Sequence, residues 1–250
     1  YYTEELMVNI VTSYENPSKL KPIINSIINH FPNIQSIVNN INTRKADVAY
    51  GEKEINLHGD SFIRERLGDI TYEVSANSFF QTNSEQAVKL FETVQHYLDL
   101  KGDEIIFDLF CGTGSISLFL AKLTKEIYGF DIIKSAIEDA TRNSVINGIG
   151  NAKFHKVNLD TYFKKGRNIE NYPTPDALII DPPRSGVHKN MLKSLPKFKA
   201  NKIVYVSCNP TTQARDIDRL IHWGWKLQSM TLVDMFPHTP HIETVALLKK

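Results

Sequence analysis

From residue 104 onward, short apolar segments typical of buried strands alternate with longer segments of helical periodicity. Strands are predicted at Glu104–Phe110, Glu126–Phe130, Lys153–Asn158, Asp176–Ile180 and Lys202–Val206, with a final edge pair at Trp225–Asp234 and Glu243–Leu248. Helices are predicted at Ser115–Leu123, Ile133–Asn147, Lys189–Leu195 and Thr212–Trp223. This alternation predicts an α/β fold with a doubly wound, mostly parallel sheet of seven strands. Ligands of such sheets bind beyond the carboxyl ends of the strands, so the residues there are the first functional candidates.

The preceding segment predicts a small α/β unit. Its strands are expected at Leu6–Thr12, Ile34–Ile41, Glu52–His58 and Asp69–Val74, and its helix at Pro17–Phe31. A strongly amphipathic helix then begins after Asn83 or Ser84, either of which is a good N-cap. A chain of 250 residues can form one small and one large domain. We expect a small binding or positioning domain at residues 1–75 and a larger domain at residues 76–250.

Composition excludes several classes of protein. Two cysteines, Cys111 and Cys208, are too few for a disulfide scaffold or a thiolate metal cluster, and they favour a reducing, cytoplasmic compartment. No apolar run approaches the roughly 20 residues of a membrane span. The net charge of +1 does not by itself indicate nucleic-acid binding, although basic clusters occur at residues 164–167 and 197–202. The chain does not start with Met and its first residues do not form a signal peptide, and we expect a fragment of a longer protein.

A glycine-containing loop follows the first strand of the large domain. Asp108 starts the motif Asp-Leu-Phe-Cys-Gly112-Thr-Gly114, and glycines let a ligand approach the backbone closely. Asp131 ends the next strand, where a carboxylate can accept hydrogen bonds from ribose hydroxyls. Since Ser117 replaces the third glycine of the dinucleotide fingerprint, the loop favours S-adenosylmethionine over NAD. The alternative is a tight turn beside an ordinary surface carboxylate.

Two further strand ends carry polar side chains. Asn158 ends the third predicted strand, although it could equally be a turn residue. Asp181 ends the fourth and is followed by two prolines, which restrict the backbone and fix the carboxylate. Amino-directed methyltransferases carry an aromatic residue after a similar Asp-Pro-Pro motif, whereas this chain has Arg184. The aromatic residue that would stack on a target adenine is therefore absent.

The fifth predicted strand leads to a thiol. Cys208 follows Val206-Ser and precedes Asn-Pro, so it is expected to face a cleft, where a thiolate could attack a carbon atom. The alternative is a small buried hydrophobic residue, and this is how we interpret Cys111.

The last turn carries three titratable side chains. His238, His241 and Glu243 lie among prolines between the final two strands, and any of them could serve as a base. A metal site is the weaker alternative, because the segment lacks a recognisable ligand pattern.

Five motifs in this order resemble the RNA uracil-5-methyltransferase family. They begin at Ser78 (Ser-Phe-Phe-Gln-Thr-Asn), Asp108 (Asp-Leu-Phe-Cys-Gly-Thr-Gly), Asp181 (Asp-Pro-Pro-Arg-Ser-Gly), Val206 (Val-Ser-Cys-Asn-Pro) and Asp234 (Asp-Met-Phe-Pro-His-Thr-Pro-His-Ile-Glu). The resemblance implies a class I methyltransferase fold, S-adenosylmethionine as cofactor and RNA as partner. It also implies that Cys208 is the nucleophile and Glu243 the general base. The positions implied to line the cofactor cleft are Gln81, Phe110, Gly112, Ser115, Asp131, Asn158 and Asp181.

The resemblance also indicates which class of RNA is the substrate. Family members methylate uridines in ribosomal or transfer RNA, and overall resemblance favours 23S ribosomal RNA and a monomer. Asp131 stands where many members have Glu, and Phe79 or Phe80 could stack on the target base. The β-barrel and four-cysteine iron–sulfur domain that commonly precede this region in ribosomal-RNA members are missing from the sequence. RNA cytosine-5 methylation and a non-catalytic RNA-binding module are the alternatives.

Overall fold

The computed structural model describes residues 2–43, 51–164 and 168–250, which divide into two compact units. The first contains residues 1–66 and 71–80, and the second contains residues 67–70 and 81–250. The domain boundary expected after residue 75 stays a prediction. Most of the basic cluster at 164–167 lies outside the described residues.

The described part of the first unit contains a three-stranded sheet with one helix against it. Its elements are β1 (Leu6–Thr12), α1 (Pro17–His30), β2 (Ile34–Ile41) and β3 (Lys53–Gly59), in the sheet order β1-β2-β3. Leu20 and Ile24 on α1 pack with Ile37 on β2 to form a small core. Strand β4 (Phe62–Leu67) then pairs with β5 (Ile70–Ser75). Strand β4 was not predicted, because three consecutive charged residues at 64–66 hide its alternation.

The second unit alternates helices and strands. The helices are α2 (Ser84–Leu98), α3 (Ser115–Ala121), α4 (Lys134–Ile146), α5 (Leu159–Tyr162), α6 (Lys189–Leu192) and α7 (Pro210–His222). The strands are β6 (Ile105–Leu109), β7 (Glu126–Asp131), β8 (Ala152–Lys156), β9 (Ala177–Ile180), β10 (Lys202–Ser207), β11 (Lys226–Val233) and β12 (Glu243–Lys249). Within the described residues they form one seven-stranded sheet in the order β11-β12-β10-β9-β6-β7-β8. Neighbouring strands from β10 to β8 are parallel, and β12 runs antiparallel to both of its neighbours, β10 and β11. This arrangement confirms the predicted α/β fold class.

The central strands form the core of this unit. Every residue of β9 is buried, as are four of the five in β6, because helices cover both faces of a parallel sheet. Aromatic side chains fill the core beside β6 and β7. Phe107 makes a tilted ring contact with Phe130 and an edge-on contact with Phe198. The frame that carries the strand ends is therefore rigid.

Strand order decides which loops meet. The chain runs from β6 outward to β7 and β8, then returns to β9 on the other side of β6. This reversal opens a crevice beside the carboxyl end of β6, where ligands of doubly wound sheets bind. Since β12 runs antiparallel to β10, the beginning of β12 lies at the same edge of the sheet.

No helix within the described residues is long and apolar enough to cross a membrane.

Candidate functional site

The loop after β6 adopts a conformation that depends on glycine. Phe110, Gly112 and Gly114 all have positive φ, at 74°, 54° and 76°. A Cβ atom at Gly114 would lie 2.8 Å from the Phe154 ring, so a larger residue does not fit there. A Cβ atom at Gly112 would meet no atom within 4 Å. The backbone at Gly112 therefore borders open space that a ligand can enter.

Asp131 joins this loop to the next helix. It is the last residue of β7, and its carboxylate accepts hydrogen bonds from the Gly112 amide at 3.0 Å and the Ile133 amide at 2.9 Å. The side chain is half-buried, so lone pairs remain for a ligand hydroxyl. This arrangement suits the predicted role of a ribose-binding carboxylate.

Asp108 is a second carboxylate at the base of the loop. It is almost fully buried within β6, and Ser117 on α3 donates a 2.6 Å hydrogen bond to its Oδ2 atom. Its Oδ1 atom has no hydrogen-bond partner among the described residues. Burial raises the pKa of Asp108 to about 7, and the Asp131 charge adds to this shift. The motif contained Asp108, but no local pattern indicated that its carboxylate is buried or that its ionisation is altered.

Three other predicted cofactor residues are less closely tied to the loop. The Ser115 hydroxyl lies 2.9 Å from that of Thr113 at the start of α3. Gln81 is half-buried ahead of Asn83, the residue that caps α2. Asn158 does not end a strand as predicted, because β8 stops at Lys156 and the Asn158 side chain instead caps the short helix α5. Its preference for accepting a backbone N–H outweighs β pairing at that position.

A thiol and two carboxylates converge at the other side of the crevice. Ser207 on β10 pairs with Thr244 on β12, so the next residues outward, Cys208 and Glu243, face each other. Tyr205 on β10 pairs with Ile180 on β9, which places Asp181 at the adjacent strand end. Topology thus brings together three residues separated by up to 62 positions in sequence.

The charges in this cluster affect one another. Partial burial raises the pKa of Cys208, and the negative charges of Glu243 and Asp181 raise it further, whereas Arg184 lowers it. Burial also raises the pKa of Glu243, with Arg184 opposing the shift. The pKa of Asp181 is raised by burial and then by the charges of Glu243 and Asp108. Arg184 is therefore the cation that favours ionisation of the thiol.

Helix α7 fixes the loop that carries Arg184. Asn209 caps α7, and its Nδ2 atom donates to the Arg184 carbonyl at 3.0 Å. The Thr212 hydroxyl donates to the same carbonyl at 3.2 Å. Further along, buried Asp216 accepts a 2.8 Å hydrogen bond from the Val187 amide. The motif at 181–186 is therefore held by one helix face.

The three candidate bases in the segment before β12 differ in burial and in contacts. Only Glu243 among them is buried, and it faces Cys208. His241 is exposed and lies 3.2 Å from Arg184, with its ring edge-on to Phe236. His238 has a positive φ of 68° in the turn. No group of three or more metal-ligating side chains is found within residues 2–43, 51–164 and 168–250.

Comparisons with known proteins place this arrangement among RNA methyltransferases. A sequence model of the family "tRNA (Uracil-5-)-methyltransferase" matches residues 48–250. A protein of Bacillus cereus described as an uncharacterized RNA methyltransferase is 42% identical over 250 residues, covering 98% of this chain and 53% of the relative. One of Chlorobaculum tepidum with the same description is 40% identical over 248 residues, covering 99% and 51%. The chain spans about half the length of these curated relatives.

A solved structure agrees with the sequence comparisons. The crystal structure of Pyrococcus abyssi tRNA (uracil-54, C5)-methyltransferase in complex with S-adenosyl-L-homocysteine is 40% identical to this chain. It superposes with a TM-score of 0.80, over 99% of this chain and 56% of that one.

Proposed function

The chain belongs to the tRNA (uracil-5-)-methyltransferase family, and on this premise we propose that it transfers a methyl group from S-adenosylmethionine to C5 of a uridine in RNA. The observation that carries the proposal is the position of Cys208 opposite Glu243, one residue beyond the last register pair of β10 and β12, Ser207 and Thr244. The reaction needs a nucleophile that adds to C6 of uracil and a base that acts at the neighbouring C5. The register of β10 and β12 supplies that pair.

The residues of the crevice fit the cofactor. The open space beside Gly112 admits a ligand against the backbone, and the half-buried Asp131 carboxylate can accept hydrogen bonds from ribose hydroxyls. Phe110, Ser115 and Asp181 border the same crevice, while Gln81 and Asn158 are assigned on family resemblance alone. When bound, S-adenosylmethionine supplies the electrophilic methyl group, carried on a positively charged sulfur.

Cys208 and Glu243 divide the remaining chemistry. Uracil C5 is a weak nucleophile until a thiolate adds to C6 and leaves negative charge on C5. Cys208 provides the thiolate, helped by the positive charge of Arg184. After C5 is methylated, Glu243 removes the C5 proton and the bond between C6 and the Cys208 sulfur breaks. Burial suits Glu243 to this step, because its raised pKa makes the carboxylate a stronger base than an exposed one.

The target nucleotide must leave its stacked position to reach the crevice, at a cost of a few kcal/mol. Phe79 is 74% exposed and is free to stack on a base, whereas Phe80 packs 5.4 Å from the Tyr72 ring. Phe80 therefore has a packing role within the first unit, and of the two predicted stacking residues Phe79 is the one with an exposed ring.

Two RNA classes are candidates. The first is 23S ribosomal RNA, which was expected from sequence resemblance and stays a prediction. The second candidate is transfer RNA, supported by the 40% identical enzyme of Pyrococcus abyssi, which is described as a tRNA methyltransferase. Mapping 5-methyluridine in both RNA classes from cells with and without the gene distinguishes them. A site that disappears from only one class identifies the substrate.

The test of the proposed reaction is product analysis. The protein is incubated with S-adenosylmethionine and unmodified transcripts of 23S ribosomal RNA or transfer RNA, and the nucleosides are then separated. We expect 5-methyluridine that depends on Cys208. Formation of 5-methylcytidine instead would identify the cytosine enzyme. Cofactor binding without any methylated nucleoside would favour a non-catalytic RNA-binding module.

A further inference from the structure

Arg184 is held at two places by different parts of the second unit. Its backbone carbonyl accepts hydrogen bonds from Asn209 and Thr212 at the start of α7. Its guanidinium lies 3.2 Å from the Nδ1 atom of His241, which belongs to the segment before β12. The loop, the helix and the last turn therefore all contribute to the position of one cation.

The chemistry of the pair fixes the state of His241. A guanidinium has five N–H donors and no acceptor, so the His241 Nδ1 atom must accept the hydrogen bond. His241 must then be neutral and carry its proton on Nε2. A second proton on Nδ1 would remove the acceptor and set two positive charges against each other.

The position of Arg184 matters because of what lies beside it. Its charge acts on both Cys208 and Glu243, and Asp181 contributes a further negative charge to the cluster. A long exposed arginine side chain has many rotamers, and a single acceptor can select one of them. The Phe236 ring contacts the His241 imidazole edge-on and limits its rotation in turn.

We propose that His241 is a positioning residue that holds the Arg184 guanidinium beside Cys208 by accepting its hydrogen bond on Nδ1. The inference rests on the proposed function, since it assigns His241 a part in activating the nucleophile. His241 does not itself remove a proton from the substrate. It acts through Arg184.

The test uses RNA that contains 5-fluorouridine, because fluorine at C5 cannot leave as a proton and the Cys208 adduct persists. The rate of adduct formation is measured at pH 8 in the presence of S-adenosylmethionine. His241→Phe removes the acceptor and should slow adduct formation about tenfold at pH 8, as expected for loss of a hydrogen bond to a charged group. His241→Asn supplies an amide oxygen as acceptor and should restore most of the rate.

Rescue by an amide acceptor distinguishes positioning from a merely structural role, because Asn can replace the hydrogen bond to Arg184 but not the bulk of the imidazole ring. His222→Asn, at the exposed end of α7, serves as the histidine control.

The outcomes are separable. A normal rate for His241→Phe, or a rate for His241→Asn no higher than that of His241→Phe, would overturn the inference while leaving the proposed function intact. Absence of a Cys208-dependent adduct in the unaltered protein with both RNA classes would overturn both. Binding of S-adenosylhomocysteine and the thermal unfolding midpoint are measured for each variant. Restoration of the rate by His241→Asn supports the inference even if His241→Phe folds poorly.

Discussion

The two cysteines of this chain occupy opposite environments. Cys111 is buried in the cofactor loop, where burial and the charges of Asp108 and Asp131 raise the pKa of its thiol well above the ordinary value. Cys208 is half-buried and has Arg184 as a neighbouring cation. The pKa of Cys208 is raised as well, but Arg184 opposes the shift, so a thiolate is less costly at Cys208 than at Cys111. The environment therefore supports the sequence-based choice between the two residues.

Substituting Cys208 and substituting Glu243 should have opposite effects on the covalent adduct with RNA. Cys208→Ala should prevent any covalent adduct with RNA, because no other thiol faces Glu243 in the described part of the chain. Glu243→Gln should allow the adduct to form and become methylated but should trap it, since the C5 proton is not removed. Denaturing electrophoresis of labelled, unmodified RNA detects the trapped species. If both variants merely lose cofactor binding, the proposed division of roles is wrong.

Asp131 should control cofactor binding without affecting the thiol. Asp131→Ala removes the carboxylate and also frees the Gly112 amide, so we expect S-adenosylhomocysteine affinity to fall by about tenfold or more. Asp131→Glu keeps the charge and should retain most of the affinity. Isothermal titration calorimetry measures both variants. Equal affinity of Asp131→Ala and the unaltered protein would exclude this carboxylate from the cofactor site.

At the scale of elements, α7 links helix stability to the site. The Asn209 side chain accepts from the Thr211 and Thr212 amides and also donates to the Arg184 carbonyl. One residue thus begins the helix and fixes the loop after β9.

Replacing caps should separate these two tasks. Asn209→Ala should lower the free energy of unfolding by about 1 kcal/mol through loss of the cap and should also slow adduct formation. Asn209→Ser keeps a capping hydroxyl but not the Nδ2 donor, so it should restore stability more than rate. Asn16→Ala removes the cap of α1 in the first unit and is the matched control. Chemical denaturation and adduct kinetics provide the two readouts, and an equal loss of rate in Asn16→Ala would contradict the assignment.

The elements themselves were largely predictable. The central strands β6, β7, β9 and β10 are continuous apolar runs, and their observed bounds differ from the predictions by one residue at most at either end. Predictions were wrong where polar residues decide the structure. The charged run in β4 concealed a strand, and the capping preference of Asn158 ended β8 two residues early.

At the scale of the molecule, sequence order and spatial order diverge. Residues at strand ends could be identified one by one, because each follows an apolar run. Their proximity depends on the order in which strands pair, and local patterns do not encode that order. The contact between Arg184 and His241 is of this kind, since 56 residues lie between them and neither sits in a regular element. Family resemblance supplied the roles of Cys208 and Glu243, whereas the fold supplied the cation beside them.

The site also affects how the stability of the second unit depends on pH. Asp108 is buried with only one of its two oxygens hydrogen-bonded among the described residues. Its pKa is about 7 in the folded protein, compared with 3.8 for an ordinary aspartate. Between these values the folded state binds a proton that the unfolded state lacks. The free energy of unfolding contributed by this group therefore rises as pH falls from about 7 towards 4 and is lowest above pH 7.

Asp108→Asn should remove this pH dependence. Asn retains an oxygen for the Ser117 hydroxyl but cannot ionise, so the variant should be more stable than the unaltered protein at pH 8. This difference in the free energy of unfolding should be about 2 kcal/mol smaller at pH 5, where Asp108 is itself mostly protonated. The size of the pKa shift limits the whole effect to about 4 kcal/mol. Urea denaturation at both pH values measures it, with Asp103→Asn on the exposed surface as the control. A difference that stays the same at pH 5 and pH 8 would mean that the Asp108 carboxylate is solvated in the folded protein, and the open space at the loop would then extend to the base of β6.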